Sequence, residues 1–380
     1  MGAQPDRLKF VFLANISWNI YNYRLPLIEA LQAAGHTVLL LAPHDEYTRL
    51  LEQKGFRSTN LRMSQRGLTP LGELSTVRRI YSFYRRHKPD VVHHFTPKGV
   101  IYGSLAAKSA GVKRIVNTIT GLGYVFSQEA ASTLRLITSQ LYRIGISGTT
   151  VLFQNAEDMQ RLRSIRGLGG AEFHLLAGSG INLARFHVEP EPEGTPVVML
   201  AARLMMEKGV QYFVDAARIL KKLNVPARFV LVGSPAQDAH AALTTGTIRA
   251  WVEQGLIEWW GWRDDMENVY TQANIVCLPT YYGEGVPRTL VEATACGRAI
   301  VATDIAGCRK VVTDGENGIL VPVHDAPMLA KAVLQLLRDP EQRRRMGARG
   351  REIALRDFTA RQHIAEYFAI YGLSAPALDN

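Results

Sequence analysis

Cysteine and long apolar runs are both scarce in this chain of 380 residues. The three cysteines, Cys277, Cys296 and Cys308, are odd in number and have neither C-x-x-C nor Cys/His spacing. They predict reduced thiols, with no disulfide framework and no metal site. No apolar run reaches the roughly 18 to 20 residues that cross a bilayer, and the first ten residues lack the apolar core of a signal peptide. We therefore predict neither a membrane span nor a cleaved leader.

Two further absences narrow the function classes. The first predicted strand runs into ANISWN (14–19) rather than G-x-G-x-x-G, which disfavours a nicotinamide-dependent enzyme. No base-stacking motif or known nucleic-acid module is present, although the chain is basic. We predict no nucleic-acid partner; a basic nucleic-acid-binding protein is the alternative, and salt-dependent retention on DNA would reveal it.

The positive charge is concentrated in one half of the chain. The net charge is +10; residues 1–190 carry 23 Lys+Arg against 12 Asp+Glu, a net +11, whereas residues 191–380 carry 21 against 22, a net −1. This asymmetry predicts an anionic partner for the first half, with a membrane leaflet, a diphosphate or nucleic acid as candidates.

Apolar runs of strand length alternate with amphipathic helical patterns, which predicts an α/β fold with parallel sheets. In the first half this pattern predicts a helix over 24–34 and strands over 9–15, 37–43, 91–95 and 114–119. Such sheets bind ligands at the C-terminal ends of their strands. Loops at those ends are predicted over 15–22, 95–99 and 120–126.

The segment HVEPEPEGTP (187–196) has three prolines and alternating acids, a composition typical of a linker. After it the alternation restarts, with helices predicted over 209–223 and 244–254 and strands over 197–202, 228–233, 275–279 and 299–304. The sequence therefore predicts two Rossmann-like doubly wound domains with an interdomain cleft. We place them at 1–190 and 191–360, with a C-terminal helix in 361–380 that crosses back to the first domain.

Two stretches of the second half carry chemistry. LPTYYGEGVPRTLVEATACG (278–297) has the pattern of a strand end, a glycine-rich turn and a helix start, and it contains Glu284 and Glu292. A helix N-terminus behind such a turn favours an anion or sugar hydroxyls. Arg203 and Lys208, five residues apart at the end of a predicted strand, can converge on one diphosphate.

These motifs resemble those of the retaining glycosyltransferases of family four, which have the GT-B architecture. The E-x7-E motif of the family corresponds to Glu284 and Glu292, and residues 297–322 are similar to its usual continuation. Arg203 and Lys208 match the family's pyrophosphate-binding pair, and the resemblance covers nearly the whole chain.

The resemblance implies a role for each matched residue. Arg203 and Lys208 would neutralise the leaving nucleotide diphosphate, Glu284 would hold hydroxyls of the donor sugar, and Glu292 would accept from the ribose hydroxyls. Other implied donor contacts are the turn of Gly285, Val286 and Pro287, the nucleoside-lining Leu290 and Val291, Arg263 near a uracil base, and Thr120. Thr120 stands where many relatives have a histidine, and its hydroxyl could still bond a donor hydroxyl.

The resemblance also implies front-face displacement with retention, in which the leaving phosphate takes the acceptor proton. A UDP-sugar would be the co-substrate, with no metal and no other cofactor. A covalent intermediate on Glu284 is the rival mechanism. A UDP-sugar epimerase of the same fold is the alternative enzyme, and product formation without any acceptor would identify it.

The first half resembles the branch of the family that extends undecaprenyl-diphosphate-linked sugars in bacterial polysaccharide or glycoprotein glycan assembly. An alpha-linked hexose or N-acetylhexosamine would be transferred, and the sequence leaves the sugar and the linkage position open. The resemblance would place the acceptor near Trp18, Asn19, Asn22, Arg24 and Lys98, with Lys98 on the lipid diphosphate. His94 is a further acceptor candidate, although a histidine within VVHHF is more often buried.

A helical stretch over 78–88 alternates cations with aromatic residues, which suits an anionic leaflet. A solvated helix with a core stripe explains the same pattern. With the excess positive charge, it leads us to predict a cytoplasmic protein bound peripherally to the inner face of the cytoplasmic membrane.

Overall fold

The structure, a computed structural model, describes residues 7–63, 70–122, 132–176, 178, 180–235 and 243–376. The chain forms two compact units. Unit 1 comprises Met1–Gly180 with Ala360–Asn380, and unit 2 comprises Ile181–Thr359. Most of the loop predicted over 120–126 lies outside the described residues.

Unit 1 contains a seven-stranded sheet, in the order β3-β2-β1-β4-β5-β6-β7, in which every pair of neighbours is parallel. Its strands are β1 (Lys9–Leu13), β2 (Thr37–Ala42), β3 (Arg57–Asn60), β4 (Val91–Phe95), β5 (Arg114–Ile119), β6 (Thr150–Phe153) and β7 (Glu172–Leu175). Its helices are α1 (Ser17–Ala33), α2 (Glu46–Gln53), α3 (Pro70–His87), α4 (Pro97–Ala110), α5 (Ser132–Ile146), α6 (Ala156–Arg163) and α14 (Ala360–Ile370).

Helices cover both faces of this sheet because successive strand residues point to opposite sides. Phe10 and Phe12 of β1 pack in one core cluster with α1, α2 and α14. Val11 and Leu13 of the same strand pack in another cluster with α3 and α4. Helix α4 lies between α3 and α5, so these three helices share one face of unit 1.

Unit 2 contains a six-stranded sheet, in the order β10-β9-β8-β11-β12-β13, which is also parallel at every pair of neighbours. Its strands are β8 (Val197–Ala201), β9 (Arg228–Val232), β10 (Glu258–Trp259), β11 (Ile275–Leu278), β12 (Ala299–Thr303) and β13 (Gly318–Val321). Its helices are α7 (Val210–Lys222), α8 (Thr245–Glu253), α9 (Met266–Thr271), α10 (Arg288–Ala295), α11 (Ala306–Arg309), α12 (Ala326–Arg338) and α13 (Pro340–Asp357), with one 3₁₀ turn at Met206–Lys208.

The segment 187–196 forms neither helix nor strand, yet it is fixed to unit 2. The Arg343 guanidinium donates to both carboxylate oxygens of Glu191, from Nε at 2.9 Å and from Nη2 at 2.6 Å. Arg298 Nη2 donates to the Glu189 carbonyl at 2.7 Å, and Asn274 Nδ2 also reaches Glu191. These contacts give a segment of linker composition a defined path on unit 2.

Helix α14 belongs to unit 1, where Tyr367 of the helix and Tyr371 just after it approach polar side chains of the core. Tyr367 OH lies 3.3 Å from Arg24 Nη1, and the hydroxyl of Tyr371, just past the helix end, lies 2.5 Å from His93 Nδ1. Across the described ranges, no helix combines the length and the apolar character needed to span a bilayer.

Candidate active site

The second sheet reverses its strand order between β8 and β11, which are spatial neighbours. Loops beyond the C-terminal ends of such a strand pair diverge and leave room for a ligand. The loop after β8 carries Arg203 and Lys208, and the loop after β11 carries Glu284. The two sequence motifs therefore meet at one edge of the unit 2 sheet.

The two loops pack together without space for a side chain at Gly209. This glycine has φ +75°, and a Cβ built on it would lie 1.9 Å from the Pro279 carbonyl oxygen. Both the left-handed backbone and the close approach require glycine. Lys208, one residue earlier, is held against the second loop as a result.

Hydrogen bonds from three consecutive residues fix the same junction. The Glu207 carbonyl accepts from Tyr281 N at 3.0 Å, from Tyr282 N at 3.2 Å and from Thr280 Oγ1 at 2.9 Å. Thr280 is fully buried, and its hydroxyl also lies 3.4 Å from Glu284 Oε1. The buried hydroxyl thus links the backbone beside Lys208 to the carboxylate of Glu284.

Lys208 and Glu284 form an ion pair between Nζ and Oε1, with only 16% and 13% of their side chains exposed. The Lys208 ammonium lies 5.7 Å from the centroid of the Tyr282 ring. Burial raises the pKa of Tyr282, the carboxylates of Glu284 and Glu207 raise it further, and the Arg203 cation opposes them. Arg203 is exposed on the same loop and therefore adds positive charge to this edge.

The glycine turn after Glu284 leads directly into α10, which begins at Arg288 behind Pro287. A second glycine, Gly307, packs closely against the backbone of this turn. A Cβ at Gly307 would lie 2.7 Å from the carbonyl oxygens of both Glu284 and Gly285. Val286 is partly exposed on the turn, whereas Leu290 and Val291 on α10 are buried.

Glu292 lies on the second turn of α10 with 8% of its surface exposed. Its carboxylate accepts from Arg288 Nε at 2.7 Å and from Tyr270 OH at 3.1 Å. Burial is the main reason why the pKa of Tyr270 is raised well above its usual value, so this hydroxyl stays a proton donor. Each carboxylate oxygen has two lone pairs, and capacity to accept from a ligand remains.

Arg263 is near the C-terminal end of β10, at the same edge of the sheet, and is partly exposed. Its guanidinium bonds both carboxylate oxygens of Asp265, at 2.7 Å and 2.6 Å. Asp265 therefore fixes the plane of the Arg263 guanidinium.

The structure corrects the predicted setting of the acceptor residues. Trp18, Asn19, Asn22 and Arg24 lie in α1, which begins at Ser17 rather than at Arg24. The sequence predicted a loop over 15–22 at the C-terminal end of the first strand, and therefore a later start of the helix. In the structure Pro26 lies inside the helix, whose buried face repeats at Ile20, Leu27 and Leu31.

The first turn of α1 nevertheless lies at the C-terminal edge of the unit 1 sheet. Trp18 N donates to Asp45 Oδ2 at 2.7 Å, and the Trp18 ring packs edge-on against Tyr23. Asn22 Nδ2 donates to the Trp18 carbonyl at 3.1 Å. Within the described part of the chain, Asn19 Oδ1 is buried and accepts no hydrogen bond, so it has capacity to accept one from a ligand.

Arg24 and His94 lie in the core of unit 1. Arg24 is 2% exposed, and its guanidinium carbon lies 4.3 Å from the centroid of the Phe95 ring. His94 is fully buried, with Nε2 3.0 Å from Tyr84 OH and Nδ1 2.8 Å from Asn117 Oδ1. Burial lowers the pKa of His94 to about 4, and neither side chain meets a ligand without an opening of the core.

Lys98 and Thr120 follow β4 and β5 at the C-terminal edge of the unit 1 sheet. Lys98 Nζ lies 2.7 Å from Glu73 Oε1, with 16% and 15% of the side chains exposed. Thr120 is partly exposed. The structure therefore groups Trp18, Asn19, Lys98 and Thr120 at one sheet edge and places Arg24 and His94 below it.

Two family models match the chain, one for each sheet. "Glycosyl transferases group 1" matches residues 195–339, and "Glycosyl transferase 4-like" matches residues 9–156. The first match contains the whole junction between Lys208 and Glu284. The chain belongs to the group 1 glycosyltransferases of family four. It has the GT-B fold of that family, as predicted.

Named relatives of this glycosyltransferase span most of its length. One is the N,N'-diacetylbacillosaminyl-diphospho-undecaprenol alpha-1,3-N-acetylgalactosaminyltransferase of Campylobacter jejuni, 27% identical over 92% of this chain and 94% of the relative. Another is the UDP-Gal:alpha-D-GlcNAc-diphosphoundecaprenol alpha-1,3-galactosyltransferase of Escherichia coli, 22% identical over 72% and 73%. The crystal structure of Anabaena HepE in complex with UDP and glucose aligns with a TM-score of 0.77 and 19% identity, covering 96% of this chain and 100% of HepE.

Sequence reasoning missed the residues that support the junction in this glycosyltransferase. Gly209, Thr280 and Gly307 position Lys208 and Glu284, and Tyr270 holds Glu292. Gly209 could have been identified from the sequence, because it directly follows the predicted site residue Lys208. Thr280 and Tyr270 carry no local pattern, because their partners lie far away in the chain.

Proposed function

We propose that this glycosyltransferase moves a hexose or N-acetylhexosamine from a UDP-sugar to an undecaprenyl-diphosphate-linked sugar, with retention and an alpha linkage. Three lines of support come from different sources. The site has cations and carboxylates at one sheet edge. The two bacterial relatives act, by name, on diphospho-undecaprenol sugars, and HepE binds UDP.

Lys208 and Arg203 are the proposed partners of the leaving diphosphate. Lys208 is mostly buried and fixed by its loop, so its charge is preorganised, whereas Arg203 is exposed and can close over the phosphates as a fork. The N-terminus of α10 adds the positive end of a helix dipole to the same region.

Glu284 is the proposed partner of the donor-sugar hydroxyls, together with the turn of Gly285, Val286 and Pro287. Its carboxylate is paired with Lys208. Donor binding would exchange this internal pair for two new ones, phosphate on Lys208 and sugar hydroxyl on Glu284. Lys208 would then keep an anionic partner, and the Glu284 carboxylate would keep a hydrogen-bond donor.

Glu292 is the proposed acceptor for the ribose hydroxyls. The Tyr270 hydroxyl and the Arg288 guanidinium hold its carboxylate in one orientation. Leu290 and Val291 are buried on the same helix turn, so they support the pocket wall beside the nucleoside. Arg263 would meet the base, with Asp265 holding its guanidinium plane.

The proposed chemical step is a front-face displacement. The bond between the sugar C1 and the phosphate oxygen breaks with both electrons going to the diphosphate, and the acceptor hydroxyl oxygen bonds C1 on the same face. Its proton passes to the departing phosphate oxygen. Stabilising the charge that develops on this oxygen is the main catalytic task of Lys208 and Arg203.

The acceptor side of the reaction is assigned to unit 1, at the ends of β1, β4 and β5. Trp18 and Asn19 are the side chains at this edge that we propose to contact the acceptor sugar, and Lys98 is the one that meets the lipid diphosphate. Thr120 remains the candidate for a hydroxyl of the donor sugar. A lipid-linked acceptor would bring the enzyme to the inner face of the cytoplasmic membrane.

The observation that carries this proposal is the Lys208–Glu284 junction at the strand-order reversal of unit 2. The test incubates the enzyme with undecaprenyl-diphosphate-linked sugars and a panel of UDP-sugars, and follows UDP release and product mass. We expect release that depends on both substrates and is lost in Lys208→Ala. Lys222→Ala, an exposed lysine at the end of α7, is the matched control.

The outcomes separate the alternatives. Conversion of a UDP-sugar into its epimer without an acceptor would replace the transferase proposal with an epimerase. If none of the UDP-sugars releases UDP in the presence of a lipid-linked or free acceptor sugar, the transferase proposal is overturned. A product of inverted configuration would overturn the retaining mechanism while leaving the transferase assignment.

A further inference from the structure

The charged residues of unit 1 are distributed very unevenly over its two faces. Helices α3, α4 and α5, which share one face, contain eight Lys and Arg residues and a single carboxylate, Glu73. Helices α1, α2 and α14, on the other face, contain three Lys and Arg residues and four carboxylates. Glu73 is itself paired with Lys98. The face of α3, α4 and α5 is therefore strongly cationic.

Exposed apolar side chains are concentrated on the same face. Among the described residues, four of the five most exposed large apolar side chains are Leu71 at 84%, Leu74 at 66%, Leu136 at 63% and Ile137 at 59%. Leu71 and Leu74 lie in the first turns of α3, and Leu136 and Ile137 lie in the first turns of α5. The fifth, Leu223, is in unit 2.

The sheet topology explains why these side chains lie at one end of the face. In a parallel sheet the crossover helices run opposite to the strands, so the N-terminal turns of α3 and α5 lie near the C-terminal sheet edge. That edge is where we propose that the acceptor sugar and diphosphate bind. The exposed leucines are therefore on the side where the lipid part of that acceptor must leave the protein.

We propose that the first turns of α3 and α5 form the surface by which this enzyme docks on an anionic lipid bilayer. Leu71, Leu74, Leu136 and Ile137 enter the boundary between headgroups and acyl chains, and Arg78 and Arg79 bind the headgroups beside them. The charge of the face selects this occupant, because exposed apolar side chains on a face with eight Lys and Arg residues and one carboxylate match the chemistry of an anionic leaflet. The inference rests on the proposed lipid-linked acceptor but assigns the surface independently of the catalytic site.

The proposal differs from a docking mode that uses the cations at the far end of α3. Arg85 and Arg86 lie about 16 to 18 Å along the helix from Leu74, at 1.5 Å per residue. If the first turns dock, reversal of Arg78 and Arg79 should weaken membrane binding more than reversal of Arg85 and Arg86.

The experiment measures flotation of the full chain with vesicles of mixed phosphatidylglycerol and phosphatidylcholine, without any sugar substrate. We expect the wild type to bind in a salt-sensitive way. Binding should be at least about tenfold weaker in Leu136→Ser/Ile137→Ser and in Leu71→Ser/Leu74→Ser, because each variant removes two apolar side chains that the bilayer would bury, and even partial burial of two such side chains is worth more than this factor. Leu223→Ser/Leu355→Ser removes two comparably exposed leucines from unit 2 and should bind like the wild type. Arg344→Glu/Arg345→Glu on α13 is the matched control for Arg78→Glu/Arg79→Glu.

Each other outcome counts against the surface. Equal flotation of the wild type and both apolar variants would overturn it, as would absence of flotation in the wild type. If the wild type is a dimer by light scattering and Leu136→Ser/Ile137→Ser is a monomer that floats normally, the occupant is a second copy of the chain. UDP release with a short-chain, water-soluble acceptor should be unchanged in the apolar variants. Flotation therefore tests the docking surface, whereas UDP release tests the proposed function.

Discussion

Lys208 and Glu284 lie 76 positions apart in the chain and share one ion pair at the edge of the unit 2 sheet. The pair joins two groups that the proposed reaction assigns to different parts of the donor, the diphosphate and the sugar. Each group compensates the other's charge. Under the proposed function donor binding exchanges this pair for contacts with the donor, and the consequences can be measured.

Loss of either phosphate-facing cation should slow turnover. We expect Lys208→Ala and Arg203→Ala each to lower kcat by roughly two to three orders of magnitude, the scale for removing one group that stabilises a developing oxyanion. Steady-state UDP release gives kcat and KM for both, with Lys222→Ala as the control. Near wild-type turnover in either variant would remove that residue from the assignment.

The two carboxylates should affect UDP binding in opposite directions. Glu284→Gln removes the internal competitor for Lys208, so UDP should bind at least about tenfold more tightly, the scale of one charge-assisted contact, while kcat falls. Glu292→Gln removes a charged acceptor for the ribose hydroxyls, so UDP should bind more weakly. Calorimetric titration with UDP measures both, and weaker binding to Glu284→Gln would contradict the exchange of partners.

Thr280 should act by positioning, because its buried hydroxyl donates to the Glu207 carbonyl and approaches Glu284. Thr280→Val leaves this carbonyl and carboxylate without the hydroxyl, and we expect kcat to fall about tenfold or more. Thr280→Ser keeps the hydroxyl and should restore most of the activity. Equal loss in Val and Ser variants would show that packing of the methyl group, not the hydroxyl, matters here.

Strands were the most predictable part of the fold. The limits predicted for two buried runs, 91–95 and 114–119, coincide with β4 and β5, and β8, β9, β11 and β12 end within a residue of prediction. Continuous apolar runs mark strands that are buried on both faces. Polar edge strands such as β3, RSTN, have no such signal and were missed.

The site was predictable as a set of motifs but not as a geometry. The sequence placed Arg203, Lys208 and Glu284 at strand ends, yet only the strand order shows that β8 and β11 are neighbours. The start of α1 was predicted wrongly because residues 15–22 were assigned to a loop at the end of the first strand. In the structure the buried face of Ile20, Leu27 and Leu31 extends the helix back to Ser17. Local composition likewise gave no sign that Arg343 and Arg298 fix the proline-rich segment 187–196.

The Glu191–Arg343 pair should matter for the stability of unit 2. Both side chains are largely buried, with 14% and 5% exposed, so Arg343→Met leaves an uncompensated carboxylate. We expect a loss of about 3 to 5 kcal/mol in the free energy of unfolding, measured by urea denaturation. Arg344→Met, its exposed neighbour, is the control. Combining Arg343→Met with Glu191→Gln should recover part of the loss, and strict additivity would indicate that the pair is not coupled.

The buried histidines of β4 should make unit 1 acid-sensitive. Burial lowers the pKa of His94 to about 4 and that of His93 well below its usual value, so both stay neutral in the folded enzyme. Above about pH 6.5 the histidine is neutral in the folded and unfolded chains alike, and it adds no pH dependence. As the pH falls from about 6.5 to about 4, the unfolded chain gains a proton at His94 that the folded chain does not, which lowers the free energy of unfolding by roughly 3 kcal/mol.

His94→Gln should therefore flatten the loss of stability over this window, as read from hydrogen exchange of β4 and β5 at a series of pH values. His174→Gln, at an exposed histidine of unit 1, should leave the slope unchanged, and a wild-type slope in His94→Gln would show that other groups cause the acid sensitivity.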